Sequence, residues 1–108
     1  MPDSIARRVP VVAGLAYAER VHHLASSLTV TLQAEKDNRY FPHAIAVLAG
    51  GEKVGYVAPE VARRYHAAML AYPAPVTCPA RRATAADLAF SGVELVLDFS
   101  ALPVEPAP

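Results

Sequence analysis

The sequence predicts a mainly β fold: a small β-barrel of five to six short strands carrying one main α-helix over about residues 59–72. Three observations lead there. Short apolar runs are separated by turn residues, the best of them alternate with period two, and a single stretch repeats its apolar residues at helical spacing. Closing such strands into a barrel removes the unpaired edges an open sheet would expose. The 108 residues divide into a short charged N-terminal tail (1–8), one domain (9–101) and a proline-rich C-terminal tail (102–108). A chain of this size buries roughly 65% of its unfolded surface, enough for a core without disulfide or metal staples.

Val9 to Tyr17 reads as the first strand, β-branched and interrupted by Gly14. Leu28 to Gln33 alternates cleanly, with Leu28, Val30 and Leu32 on one face and Thr29, Thr31 and Gln33 on the other. Ala44 to Ala49 is a further strand that ends in Gly50-Gly51, and Lys53 to Val57 returns as its hairpin partner. The connection between the second and third strands, Glu35 to His43, is long and carries Tyr40 and Phe41 among charges. The helix starts at Ala58-Pro59-Glu60, where proline suits the first turn and glutamate the positive end of the dipole. Val61, Ala62, Tyr65, Ala68, Met69 and Tyr72 form its apolar stripe; Arg63, Arg64 and His66 are expected in water, and Pro73 and Pro75 stop it. Val76 to Cys78 makes a short strand and Val93 to Phe99 a longer one, with Leu95 and Leu97 inward. Pro103, Pro106 and Pro108 exclude regular structure from the last residues.

Ten basic residues balance ten acidic ones, so the chain does not coat nucleic acid by charge alone, and any such contact is local. Its one cysteine, Cys78, forms no internal disulfide, and no second cysteine joins the four histidines in a zinc pattern. A reducing, cytoplasmic location is expected, with no signal peptide and no membrane span. No metal or other cofactor is implied.

Catalytic candidates are poor. His22 and His23 are adjacent and chelate one ion badly; His43 and His66 read as surface residues. Cys78 reads as a small buried hydrophobe, although nearby Arg81 and Arg82 leave a reactive thiolate as an alternative. Gly50-Gly51 lacks the spacing and lysine of a phosphate loop. Binding has better candidates. Tyr17, Tyr40, Phe41 and Tyr56 fall at strand ends or in loops, where rings stack on single-stranded bases, and Arg20, Lys36, Arg39 and Lys53 accompany them. The competing reading has the tyrosines plugging barrel ends and the charges simply solvated.

Three segments carry a family resemblance: Gly14-Leu15-Ala16-Tyr17, then Asp37-Asn38-Arg39-Tyr40-Phe41-Pro42-His43-Ala44-Ile45-Ala46-Val47, then Gly55-Tyr56-Val57-Ala58-Pro59-Glu60-Val61-Ala62. In order and spacing they resemble the HIRAN domain, with its Gly-hydrophobic-Arg-Tyr strand, its Asp-x-Asn-Pro-Tyr-Asp-x-Asn-Ala-Ile-x-Val segment and its Val-Gly-Tyr strand entering a helix. The resemblance implies an OB-like or SH3-like barrel that is not an enzyme and that binds single-stranded DNA at its 3′ end. It also implies a setting in DNA repair, either as a free-standing bacterial protein or fused to a fork-remodelling ATPase. Carried over residue by residue, Tyr17 and Tyr40 match the aromatic contacts, Gly14 and Gly55 the tightly packed barrel positions, and Asn38, Ala44, Ile45 and Val47 the structural signature. Where binding members carry arginine and aspartate, this chain has Ala16 and Phe41; His43 stands for an asparagine and Arg39 for a proline.

The site expected from these readings comprises Tyr17, Tyr40, Phe41 and Tyr56 as rings, with Arg39, Lys36 or Lys53 on phosphate. An end-binding pocket needs an acceptor for the terminal hydroxyl, and Phe41 has none, so weak discrimination between a 3′-hydroxyl and a 3′-phosphate is expected. The alternative is a protein-interaction module, in which an aromatic surface centred on Phe41 meets a partner or a second copy.

Overall fold

In the computed structural model, which describes residues 8–12, 23–82 and 93–107, six strands close into one antiparallel barrel. They are β1 (Arg8–Val12), β2 (Ser27–Ala34), β3 (Ile45–Ala49), β4 (Glu52–Val57), β5 (Val76–Arg82) and β6 (Val93–Asp98). The helix α1 (Pro59–Ala71) connects β4 to β5. Around the barrel the order is β1-β4-β3-β2-β5-β6, and β6 pairs back onto β1. The mainly β barrel with one main helix is thus the architecture that the alternation predicts. Tyr17, Gly14 and the remainder of the expected first strand lie outside the described residues.

Period-two alternation fills the barrel. Val30 and Leu32 of β2, Ile45 and Val47 of β3, and Leu95 and Leu97 of β6 meet in one buried cluster with Val9, Val11, Val54 and Val57. Asp98 and Thr29 face water, as expected. The β3–β4 hairpin turns on Gly50 and Gly51, at φ +59° and +85°. Two successive left-handed residues match the right-handed twist of the flanking strands, and glycine reaches that conformation without a steric penalty.

Four departures from the sequence reading follow from packing. First, β5 runs on to Arg82 instead of ending at Cys78. Pro79 lies opposite Thr29 of β2, one residue before pairing with β6 begins at Ala80, so its missing N–H leaves the β6 ladder intact. Second, α1 ends at Ala71; Tyr72 is extended, and its N–H reaches the Met69 carbonyl at 3.3 Å. Third, His66 is buried rather than wet. It follows Ala62 by four residues and precedes Met69 by three, so it shares their inward face. Val61, Tyr65 and Tyr72 pack half-buried at the margin of the core, while Arg63 and Arg64 stay exposed as expected.

Fourth, the proline-spaced C-terminal residues form no strand or helix, yet they return to the barrel. Leu102 and Val104 pack against the core, and the Ala107 N–H donates to the Arg64 carbonyl at 2.7 Å. Phe99 meets Tyr65 edge to face at 5.1 Å, joining the end of β6 to α1. The start of α1 is fixed to β1 by the Ala58 N–H, which donates to the Pro10 carbonyl at 3.1 Å. Among the described residues no helix is long and apolar enough to cross a membrane.

Candidate nucleic-acid interface

The loop joining β2 to β3 is tied at its base and in its interior. The Glu35 N–H donates to the Ala44 carbonyl at 2.9 Å, and the Ala44 N–H to the Phe41 carbonyl at 3.0 Å. Between them, the Asn38 Oδ1 accepts the backbone N–H groups of Tyr40 and Phe41 at 3.0 and 2.9 Å. Asparagine suits this place because its side chain mimics a turn carbonyl two residues on. The turn holds Tyr40 85% exposed and Phe41 62% exposed, so two adjacent rings stand together at the surface beside the barrel.

Beneath the loop, Glu35 joins three elements. Its Oε1 accepts from Asn38 Nδ2 at 3.0 Å, its Oε2 from Lys53 Nζ at 2.8 Å, and its backbone carbonyl lies 2.8 Å from His66 Nε2. A carbonyl only accepts, so His66 carries its proton on Nε2. Asn38 cannot flip, since its oxygen already holds two N–H groups; its amide nitrogen must face Glu35, and both Glu35 oxygens must accept. Burial alone would raise the Glu35 pKa, but the hydrogen bonds from Lys53 and Asn38 and the Lys53 charge outweigh it and hold the carboxyl below its ordinary value. Lys53 moves the opposite way: its bonds to Glu35 and then to Tyr56 raise its pKa against the opposing effect of burial.

Lys53 also donates to Tyr56 Oη at 2.8 Å, a pair three residues apart on one strand. In a regular strand such residues point to opposite faces. Here Val47 of β3 faces Gly55 while Leu48 faces Lys53, which leaves Val54 as one extra residue in β4. That bulge turns Lys53 and Tyr56 to the same outer face. The sequence assigns Lys53 to phosphate; the structure puts its ammonium in the brace under the loop.

Beside the loop lies an open groove of about 550 Å³. Phe41 and His43 bound it on the loop side, Tyr56 and Val57 on β4, and Glu60 and Arg63 on the first turns of α1. Its walls are mostly apolar. The His43 ring stands edge to face against buried His66 at 5.5 Å, which links the groove wall to the brace. Of the expected site residues, the structure brings Phe41 and Tyr56 into the groove and Lys53 beneath it. Tyr40, Lys36 and Arg39 are exposed on the adjoining loop, and Tyr17 lies outside the described residues. Sequence reasoning missed His43, Glu60 and Arg63. The available signal was proximity: Glu60 and Arg63 follow Tyr56 directly, on the helix that β4 feeds.

Cys78 points into the core and its thiol is pushed up to about 12 by burial, the reverse of what a nucleophilic thiolate requires. Among the described residues no group of three or more His, Cys, Asp or Glu side chains is placed to hold a metal ion.

Compared with known families, residues 9–82 match the HIRAN domain, from β1 through the loop, the brace and the groove to the end of β5. The chain belongs to the HIRAN domain family. HIRAN domains are nucleic-acid-binding modules rather than catalysts, and in this HIRAN domain the matched span contains every element of the aromatic interface. No curated protein and no solved structure matches the chain.

Proposed function

We propose that this HIRAN domain binds single-stranded DNA at its 3′ ends, with Tyr40 and Phe41 stacking on terminal bases and the adjoining groove receiving the last nucleotide. The observation that carries this reading is the loop itself: two exposed rings on a backbone fixed by Asn38, set beside a mostly apolar groove. Stacking of that kind contributes about 1–3 kcal/mol per base and tolerates any sequence. Lys36 and Arg39, both exposed on the same loop, supply the phosphate contacts, and Tyr17 adds a third ring by its match to the family motif. Tyr56 lines the groove, and Lys53 acts through Glu35 by holding the loop. We place the protein in the cytoplasm, in DNA repair.

Fluorescence anisotropy with linear and circular single strands of one sequence tests this. Linear strands should bind more tightly, and Tyr40→Ala or Phe41→Ala should each weaken binding about 5- to 150-fold. The salt slope should fall near −0.7 per phosphate held. Absence of binding together with a stable dimer by light scattering would instead favour a protein-interaction module centred on Phe41.

A further inference from the structure

Two charged side chains enter the groove from one wall. Glu60 and Arg63 stand three residues apart on the first turns of α1, so they share a face, with their Cβ atoms roughly 5–6 Å apart. Both residues are exposed, and neither has a hydrogen-bond or ion-pair partner among the described residues. Phe41, 62% exposed, lines the same groove from the loop, and the remaining lining is largely apolar. Lys53, a neighbour of the groove residue Tyr56, is committed to Glu35 and Tyr56. The groove therefore offers a ring, one acceptor carboxylate and one donor cation in a single nucleotide-sized space.

A ligand that satisfies all three has an apolar face, a hydroxyl donor and an anion on one sugar. The final nucleotide of a strand has these features, and an interior nucleotide does not. In the interior the 3′ oxygen is esterified, so it has no proton to donate and brings a negative phosphodiester towards Glu60. Resting on the single-strand reading above, we infer that Glu60 accepts the terminal 3′-hydroxyl while Arg63 takes the phosphate of the same nucleotide, so that α1 determines specificity for strand ends. The acceptor that Phe41 cannot provide then comes from the helix that lines the same groove. Weak end discrimination is what the loop sequence alone predicts; the helix wall reverses that expectation. Glu60 should repel a terminal phosphate for the same reason that it welcomes a hydroxyl.

The test uses anisotropy on the full chain with short oligonucleotides that differ only at the 3′ terminus: hydroxyl, dideoxy or phosphate. The natural protein should bind the hydroxyl form about tenfold or more tightly than the phosphate form, with the dideoxy form between them. Glu60→Gln should remove most of the phosphate penalty. Arg63→Gln should weaken all three forms by a similar factor and make the salt slope shallower by about 0.7. Thermal midpoints close to that of the natural protein confirm that both variants are folded. Equal affinity for the hydroxyl and phosphate forms, or a preference that survives Glu60→Gln, overturns the inference. If Phe41→Ala still weakens both forms in that case, the single-strand reading stands without it; absence of binding to every form removes both.

Discussion

Asn38→Ala should disconnect the aromatic loop from the barrel without touching either ring. It deletes hydrogen bonds to the Tyr40 N–H at 3.0 Å, to the Phe41 N–H at 2.9 Å and to Glu35 Oε1 at 3.0 Å. Neutral bonds contribute about 0.5–1.5 kcal/mol each and a bond to a charged group about 1.5–3. The two backbone donors are exposed and regain water, so the lower ends apply, and a loss of about 2.5 kcal/mol of loop order is expected. Binding must then immobilise two rings that were previously held, at about 0.5–1.5 kcal/mol each, which weakens affinity roughly 5- to 150-fold. Anisotropy with a linear single strand measures this, alongside the thermal midpoint. Asn38→Asp separates the two parts of the device, because it keeps the acceptor for both N–H groups but sets a carboxylate oxygen against Glu35. It should keep the turn, lose the brace and fall between the natural protein and the alanine variant. An unchanged Kd for Asn38→Ala, in a folded protein in which Phe41→Ala still weakens binding, would refute the claim that loop order positions the rings.

Two further outcomes test the barrel and the brace. Leu95 is fully buried among the residues of the central cluster, so Leu95→Ala should cost roughly 2–5 kcal/mol in chemical denaturation; an unchanged midpoint would contradict its inward placement. The Glu35–Lys53 pair should give a stability plateau with two shoulders. The folded pKa of Glu35 lies below its unfolded value of 4.5, so its contribution is complete above that pH and is lost as acid passes the lower folded value. The folded pKa of Lys53 lies above 10.5, so its share is complete below that pH and is lost as base passes the higher folded value. The difference in thermal midpoint between the natural protein and Glu35→Gln should therefore be flat between these limits and shrink outside them. A difference that stays constant far into acid would show that the ionic pair does not hold the loop.

Much of the barrel was legible because its signals are local. Leu28 to Gln33 alternates, two glycines mark the hairpin, and Pro59-Glu60 opens the helix, each within a few residues. The sequence reading failed where a distant partner decides the outcome. His66 follows Arg63, Arg64 and Tyr65 and looks wet until the Glu35 carbonyl, far away in sequence, supplies its buried acceptor. Pro79 looks like a strand stop until the offset between β2 and β6 shows which of its neighbours needs no N–H. Tyr40 and Phe41 were readable as exposed rings in a long loop, but Glu35 was not readable as the residue that ties the loop down. Its role depends on the Val54 bulge, which sets Lys53 and Tyr56 on one face, and a one-residue register shift leaves no mark in composition. The helix wall of the groove was missed for a related reason: Glu60 favours a helix start in any protein, and only the barrel turns that start towards Phe41.

The closure of β6 onto β1 also constrains how the chain folds. Val9 and Leu97 pair across almost the whole length of the sequence, whereas β2, β3 and β4 pair as successive neighbours. Contacts that close so large a loop lose much chain entropy before any packing rewards them, so closure of the ring is the expected slow step. The loop and the Glu35–Lys53 pair lie within the β2–β3–β4 meander, whose contacts span much shorter stretches of chain. Until β1 docks, β4 and β6 each present an unpaired edge, which makes this short first strand the chain's own protection against edge-to-edge association while it folds.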